Sequence, residues 1–396
     1  NGSGTLLALA GQMGPDNTYI HCCNLTAEEW DLVADTGGGV SIAAPVEMQM
    51  GHGVPPFQQA LDRGVPLGLG NDVETSVSGE FFGQMRMALA LQRMLAHQRA
   101  RRDEQSPPRL LSVREVLAIA TLGGARVNHL DDRIGSLTPG RRADVILTSD
   151  LSELPIELVV ARGQVVAENG TCLVDCPHYD WPDHARQTVH MARDLEADNF
   201  VIKAPTGANQ VTANVIGVVE NQAPTQALKF ELPVTEGRVQ AIGDVAQIAL
   251  VERHRATGGV TNAFVSGFGY QGPMAMASTV AHDSHHMIVV GTDRDQMALA
   301  TNRLRAMGGG IVIFKDGAEL AAVPLPIAGL MSDRPASEVA AQADAMMQAM
   351  RDCGCTLNNA YMQHSLLALV VIPELRISDL GLVDVRTFEF IPVLEP

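Results

Sequence analysis

Residues 19–45 read YIHCCNLTAEEWDLVADTGGGVSIAAP, and residues 65–72 read VPLGLGND. Their order decides the fold. Tyr19 to Cys22 is a short apolar run of strand type. Thr26 and Glu29 have the spacing of a capping box, which opens a helix from Glu28 to about Asp35. Gly37 to Gly39 stop that helix. Val40 to Ala44 is the next strand. Pro55 and Pro56 start a second helix, FQQALDR, which Gly64 closes. Val65 to Asp72 is a third strand, and it ends on a carboxylate. Strands alternating with helices point to β/α units and a parallel sheet. His21 and Asp72 each fall at the carboxyl end of such a strand, where β/α barrels gather their catalytic groups. A lone histidine at a strand end is more often structural. Two such residues in one run of successive β/α units favour function.

Outward from this core, Glu80 to about Arg99 is a long helix rich in Met, Leu and Ala. Arg99 to Pro108 is charged and then proline-containing, as a surface loop would be. Ser112 and Glu115 form a second capping box, ahead of the helix VREVLAIATL. The pattern changes at about residue 131. IGSLTPGRRADVILTS and ELVVARGQVVAENGTCLV are β-rich, with turns at Pro139-Gly140, Arg162-Gly163 and Asn169-Gly170. A small β-sandwich is expected over 131–177. Residues 178–200 are a polar, acidic connector. Beyond them, strands such as VTANVIGVVE, VQAIGDVAQIALVE, AFVSGFG and IVIFKDG surround helices. One helix, Asp293 to Met307, places Met297, Ala300, Thr301, Leu304 and Met307 on one face, and Gly308 ends it. Another runs from about Ser337 to Met350.

The 396 residues suffice for two or three domains, and 46 % of them are apolar, enough for a large core. A net charge of −17 argues against a nucleic-acid partner, because phosphate binding needs a basic surface. No segment approaches the roughly 18 apolar residues of a membrane span. No signal peptide is read, and the first residues, NGSGTLLALAG, lack a methionine. The chain is therefore expected to be the later part of a longer protein, or a processed one. The cysteines lie as Cys22-Cys23, Cys172 with Cys176, and Cys353 with Cys355, which suits a reducing cytoplasm better than a disulfide framework. Cys353-Gly354-Cys355 is too tight for an ordinary zinc knuckle. A cytoplasmic homo-oligomer is the expected state.

The two stretches quoted first resemble the last strands of the metal-dependent amidohydrolases, nearest to the cytosine deaminase and triazine hydrolase branch. SVREVLAIATLGGARVNHLDDRIGSLTPGRRADVILTS resembles the helix and returning β-sandwich of the same superfamily. CPHYDWPDHARQTVHM, GFGYQGPMAMASTVAHDSHHMIVVGTDRDQMALATNRL, GGGIVIFKDG, PLPIAGLMSD and VIPELRISDLGLVDV resemble, in order, the carboxyl-terminal domain of bacterial adenine deaminase over residues 175–396. The implied architecture is α/β and α+β. It comprises a partial (β/α) barrel of amidohydrolase type over 1–130, a β-sandwich segment over 131–177, and a mixed α+β carboxyl-terminal domain over 178–396.

The resemblance implies conversion of adenine to hypoxanthine and ammonia, with a divalent ion (manganese, iron or zinc) as cofactor. It implies that Asp72 binds metal and accepts a proton, and that His21 helps bind metal and delivers protons. The family's His-x-His pair does not occur in these 396 residues. By the family's order, the first five β/α units would precede position 1. Two readings stay open beside adenine deamination: an amidohydrolase of pyrimidines or triazines, and an inactive barrel fragment with a binding role.

AHDSHHMIVVG, residues 281–291, holds the densest polar cluster. If it is extended, His282, Ser284 and His286 share one face, while Asp283 and His285 share the other. All five then fail to converge on one ion. His282, Asp283, Ser284 and His285 are expected to contact a purine base, with a metal site and a hydrogen-bonded turn as alternatives. Asp283 would orient a histidine through its ring N–H. His52, in a Gly-His-Gly loop, is a weaker substrate candidate. His97 reads as solvated. Gly308 to Gly310 reads as a turn, not a phosphate cradle, which would open a helix.

Overall fold

Thr26 accepts from the Glu29 N–H at 3.2 Å, and Glu29 returns the bond to the Thr26 N–H at 2.9 Å. This reciprocal cap starts helix α1, Ala27–Thr36, and Gly37 ends it at φ 81°. The same logic holds at Ser112 and Glu115. These local signals build the first of two compact units, residues 1–177 and 178–396, in a computed structural model that describes residues 11–74, 77–102, 109–175 and 178–395. Most of the loop expected over Arg99 to Pro108 lies outside the described residues.

In the first unit, β1 (Thr18–Ile20), β2 (Gly39–Ile42) and β3 (Leu67–Leu69) form a parallel sheet in that order. Helices α2 (Ala44–Gln49) and α3 (Phe57–Arg63) connect β2 to β3. Helix α4 (Phe81–Arg101) follows. Trp30, Val33, Val40, Ile42, Phe57, Ala60, Leu67 and Leu91 make one buried cluster. The helix expected over VREVLAIATL is α5 (Val113–Ala118), which widens into a π turn over Ile119–Gly123 and continues as α6 (Gly124–Val127). This segment packs hard on β3. A Cβ at Gly123 would lie 2.2 Å from the Leu67 carbonyl oxygen, and one at Gly68 would lie 2.7 Å from Val127. Only glycine permits that approach.

Two expectations, the strand lengths and the sandwich, are corrected. The outer strands are shorter than the apolar runs, because His21 and Cys22 leave β1 at φ 66° and 57°, and Asp72 follows β3 at φ 61°. The three parallel strands form no closed barrel among the described residues. The β-rich segment is one four-stranded antiparallel sheet of β4 (Val145–Leu147), β5 (Leu158–Ala161), β6 (Gln164–Glu168) and β7 (Thr171–Cys172), not a sandwich. The turns at Arg162-Gly163 and Asn169-Gly170 are where expected, each with two positive φ values.

The second unit is built on a nine-stranded mixed sheet. Its strands are β8 (Gln210–Gly217), β9 (Gln226–Thr235), β10 (Arg238–Val239), β11 (Ala246–Val251), β12 (Val260–Ser266), β13 (Met274–Ser278), β14 (Met287–Gly291), β15 (Gly310–Lys315) and β16 (Ala318–Pro324). Their order is β10-β9-β8-β12-β11-β14-β13-β15-β16, with β8 and β12 parallel. Central strands β11, β13 and β14 are buried at every residue, which explains their largely apolar sequence, broken by Gln247 and Ser278. Helix α7 (Arg294–Met307) covers one face with Met297, Ala300 and Leu304, and Thr301 is buried beside them. Helix α8 (Ala336–Asp352) packs Met346 and Met350 into the cluster on the other face. A short helix α9 (Ala360–Leu366) and a three-stranded hairpin sheet over 375–391 complete the unit. No helix among the described residues is long and apolar enough to cross a membrane.

Candidate functional site

The chain turns sharply where β1 and β3 end. The left-handed backbone at His21 and at Asp72 swings both side chains together. His21 Nε2 lies 3.7 Å from Asp72 Oδ2, across 51 residues of sequence. His21 Nδ1 lies 3.2 Å from Oε1 of Glu47, a residue of α2. Glu47 is fully buried, and the same oxygen accepts the Ala43 N–H at 2.9 Å. Its other oxygen, Oε2, makes no hydrogen bond among the described residues. The His52 ring meets the His21 ring edge-on, with centroids 4.9 Å apart.

The electrostatics follow from this placement. The Glu47 hydrogen bond raises the His21 pKa, opposed by burial and helped by the Asp72 charge. Burial lowers that of His52, and the neighbouring His21 adds to the effect. The Cys22 and Cys23 thiols are each pushed up to about 12, first by burial and then by the Glu47 carboxylate. They stay thiols, which are poor metal ligands and poor nucleophiles. Glu47 is the residue that sequence reasoning missed. The available signal was an acid inside the apolar run AAPVEM, directly after a strand.

A divalent ion does not fit this set as it stands. Both His21 nitrogens already face carboxylates, and among the described residues no group of three His, Cys, Asp or Glu side chains is placed to hold an ion.

In the second unit, residues 282–284 form a turn and β14 begins only at Met287. The extended geometry considered for this stretch is therefore not adopted. His285 sits at φ 50°, and its Nδ1 accepts the Ala281 N–H at 3.2 Å. Arg253, which is 1 % exposed, donates to the His285 carbonyl at 2.5 Å, to Thr188 O at 3.0 Å and Oγ1 at 3.2 Å, and to Ala328 O at 3.1 Å. Burial lowers its guanidinium to about 10. The His254 ring donates through Nε2 to the Ser284 carbonyl at 2.7 Å. Glu252 anchors that segment. Burial works against its charge, but N–H donors from Thr257, Arg255 and His254 hold the carboxyl down to about 2.

The His282 and His285 rings are 5.3 Å apart, and those of His254 and His286 are 4.6 Å apart. His286 Nε2 lies 3.6 Å from Asp379. Burial lowers the pKa of His285, and His282 and Arg253 add to it. Burial also lowers that of His286, and His254 adds to it. Asp283 and Ser284 are exposed and His282 is half-buried, so this turn presents polar atoms to solvent. His282 Nδ1 and Asp283 Oδ1 are 3.9 Å apart, too far for the orienting hydrogen bond expected of Asp283.

Known proteins resemble both units. Residues 4–166 match the amidohydrolase family, and residues 222–389 match the adenine deaminase C-terminal domain. An adenine deaminase of Roseobacter denitrificans is 81 % identical over 279 residues, covering 70 % of this chain and 46 % of that protein. One of Ruegeria pomeroyi is 75 % identical over 283 residues, and one of Moorella thermoacetica 42 % over 284, each covering 71 % of this chain and 47 % of the relative. The chain thus spans about half the length of the curated relatives it matches. Among solved structures, an atrazine chlorohydrolase of Arthrobacter aurescens TC1 complexed with zinc is 28 % identical over 43 % of this chain and 40 % of that one, with a TM-score of 0.36, too low to argue from. By these matches, residues 4–166 are similar to the amidohydrolase family and residues 222–389 to the adenine deaminase C-terminal domain.

Proposed function

We propose that this chain belongs to a metal-dependent aminohydrolase that converts adenine and water to hypoxanthine and ammonia. The 81 % identity to an adenine deaminase over 70 % of the chain carries this reading. In this reaction the attacking water gives up protons and the departing nitrogen gains them. A carboxylate beside an imidazole suits both needs. Asp72 accepts, and His21, its pKa raised by Glu47, donates. Manganese, iron or zinc is the cofactor we assign, and the described residues alone do not make its site.

His282, Asp283, Ser284 and His285 are assigned to the purine base, whose edges offer hydrogen-bond donors and acceptors. The exposed side chains of Asp283 and Ser284 and the half-buried rings of His282 and His285 support this. Residues 1–130 are assigned to the barrel, 131–177 to the returning β segment and 178–396 to the carboxyl-terminal domain. A cytoplasmic homo-oligomer is the state proposed. Ammonia release from adenine and cytosine, and chloride release from a chlorotriazine, assayed on the intact enzyme with each of the three metals, test the function. Adenine turnover is expected. Turnover of the pyrimidine or triazine with none of adenine would move the assignment to the other amidohydrolase branch.

A further inference from the structure

We infer that Glu47 is the positioning residue of His21: it fixes which ring nitrogen carries the proton, and so makes Nε2 the nitrogen that exchanges protons beside Asp72. The inference rests on the reading of His21 as a proton carrier.

A neutral imidazole has a single N–H. Two carboxylates compete for it here. Glu47 Oε1 is 3.2 Å from Nδ1, within hydrogen-bond reach, whereas Asp72 Oδ2 is 3.7 Å from Nε2, beyond it. Glu47 is also the better fixed of the two. It sits in α2, it is fully buried, and the Ala43 N–H at the end of β2 holds the same oxygen. Asp72 is about one-third exposed. The nearer, buried and pre-oriented acceptor takes the proton at Nδ1. The His52 ring, edge-on at 4.9 Å, and the left-handed backbone of His21 hold the imidazole in that plane. Stability alone does not account for the arrangement. A fully buried carboxylate with one oxygen that meets at most the weak thiol donor of Cys23 is costly in a folded protein. That cost is understandable when the other oxygen sets the state of a functional imidazole. The same division of labour fixes catalytic and metal-binding histidines generally: a partner on one nitrogen decides the behaviour of the other.

The test is the nitrogen-15 NMR spectrum of the histidines in the full 396-residue chain, at alkaline pH where the ring is neutral. His21 is assigned by comparison with His21→Gln. In the wild type, His21 is expected as the Nδ1–H tautomer. Glu47→Ala removes the nearer acceptor, and the proton is expected to move to Nε2, facing Asp72. Glu47→Gln keeps a carbonyl oxygen in place and is expected to retain the Nδ1–H form. Circular dichroism identifies any variant that fails to fold, and the wild-type spectrum alone decides the first point. An Nε2–H tautomer in the wild type, or an unchanged Nδ1–H tautomer in folded Glu47→Ala, would overturn the inference. The readout needs no turnover. A chain that shifts tautomer as stated but leaves adenine untouched would retain Glu47 in its role and lose the deaminase reading.

Discussion

Histidine is used in opposite ways in the two units. His21 lies between two carboxylates, and its pKa is raised. His285 and His286 lie near other imidazoles and Arg253, and theirs are lowered. His364, fully buried with neither ring nitrogen hydrogen-bonded to a side chain among the described residues, falls to about 3 through burial. The contrast shows that a histidine-rich sequence says little about chemistry until the neighbours are known. The first unit raises the pKa of an imidazole set between carboxylates, which suits proton delivery. The second lowers those of His285, His286 and His364, chiefly through burial.

The strongest way to break the comparison is Arg253→Ala. It removes four hydrogen bonds from one buried guanidinium and leaves a cavity. A loss of about 4 kcal/mol is expected in urea unfolding. In hydrogen-exchange mass spectrometry, residues 281–291 should lose protection while residues 18–72 do not. Equal loss in both segments would mean that the two regions are not distinct.

Acid separates the regions by sign. His364, His285 and His286 have folded pKa values below the unfolded value near 6.5, so the unfolded chain binds more protons there. Their contribution is full above pH 6.5 and is lost as pH falls, for His364 down to about 3, at about 1.4 kcal/mol per pH unit. His21 is the reverse case. Its contribution is full below 6.5 and fades as pH rises through its raised folded value. Exchange protection between pH 7 and 5 should therefore fall in residues 360–366 and hold at residues 18–22. A parallel fall in both would remove the contrast.

His285→Ala sharpens the functional side. It should raise KM for adenine by about 10-fold, equal to about 1.4 kcal/mol, with metal content unchanged. Loss of metal would place His285 at the ion instead of the base. The smallest expected effect is Thr26→Ala, which removes one half of a capping box in the first unit and should cost about 1 kcal/mol in thermal unfolding.

Both capping boxes, the Gly64 and Gly308 helix ends, and the buried face of helix 294–307 were readable because they depend on residues three or four apart. So was the placing of His21 and Asp72 at strand ends. What was not readable depends on distant partners. The Glu47 contact joins residues 26 apart through two β/α connections. The turn at 282–284 is held by His254 and Arg253 from the neighbouring strand β11's end, and no local signal told it from an extended run. The sheet at 145–172 shows the alternation and turns of a sandwich, and only pairing distinguishes them.

The most direct test of the function is hypoxanthine and ammonia production from adenine by the intact, metal-loaded enzyme to which this chain is assigned, wild type against Asp72→Ala. Equimolar hypoxanthine and ammonia from the wild type, reduced at least about 100-fold in the variant, is the predicted result. Unchanged turnover in Asp72→Ala, or no adenine turnover beside a clear rate on cytosine or a triazine, would contradict it.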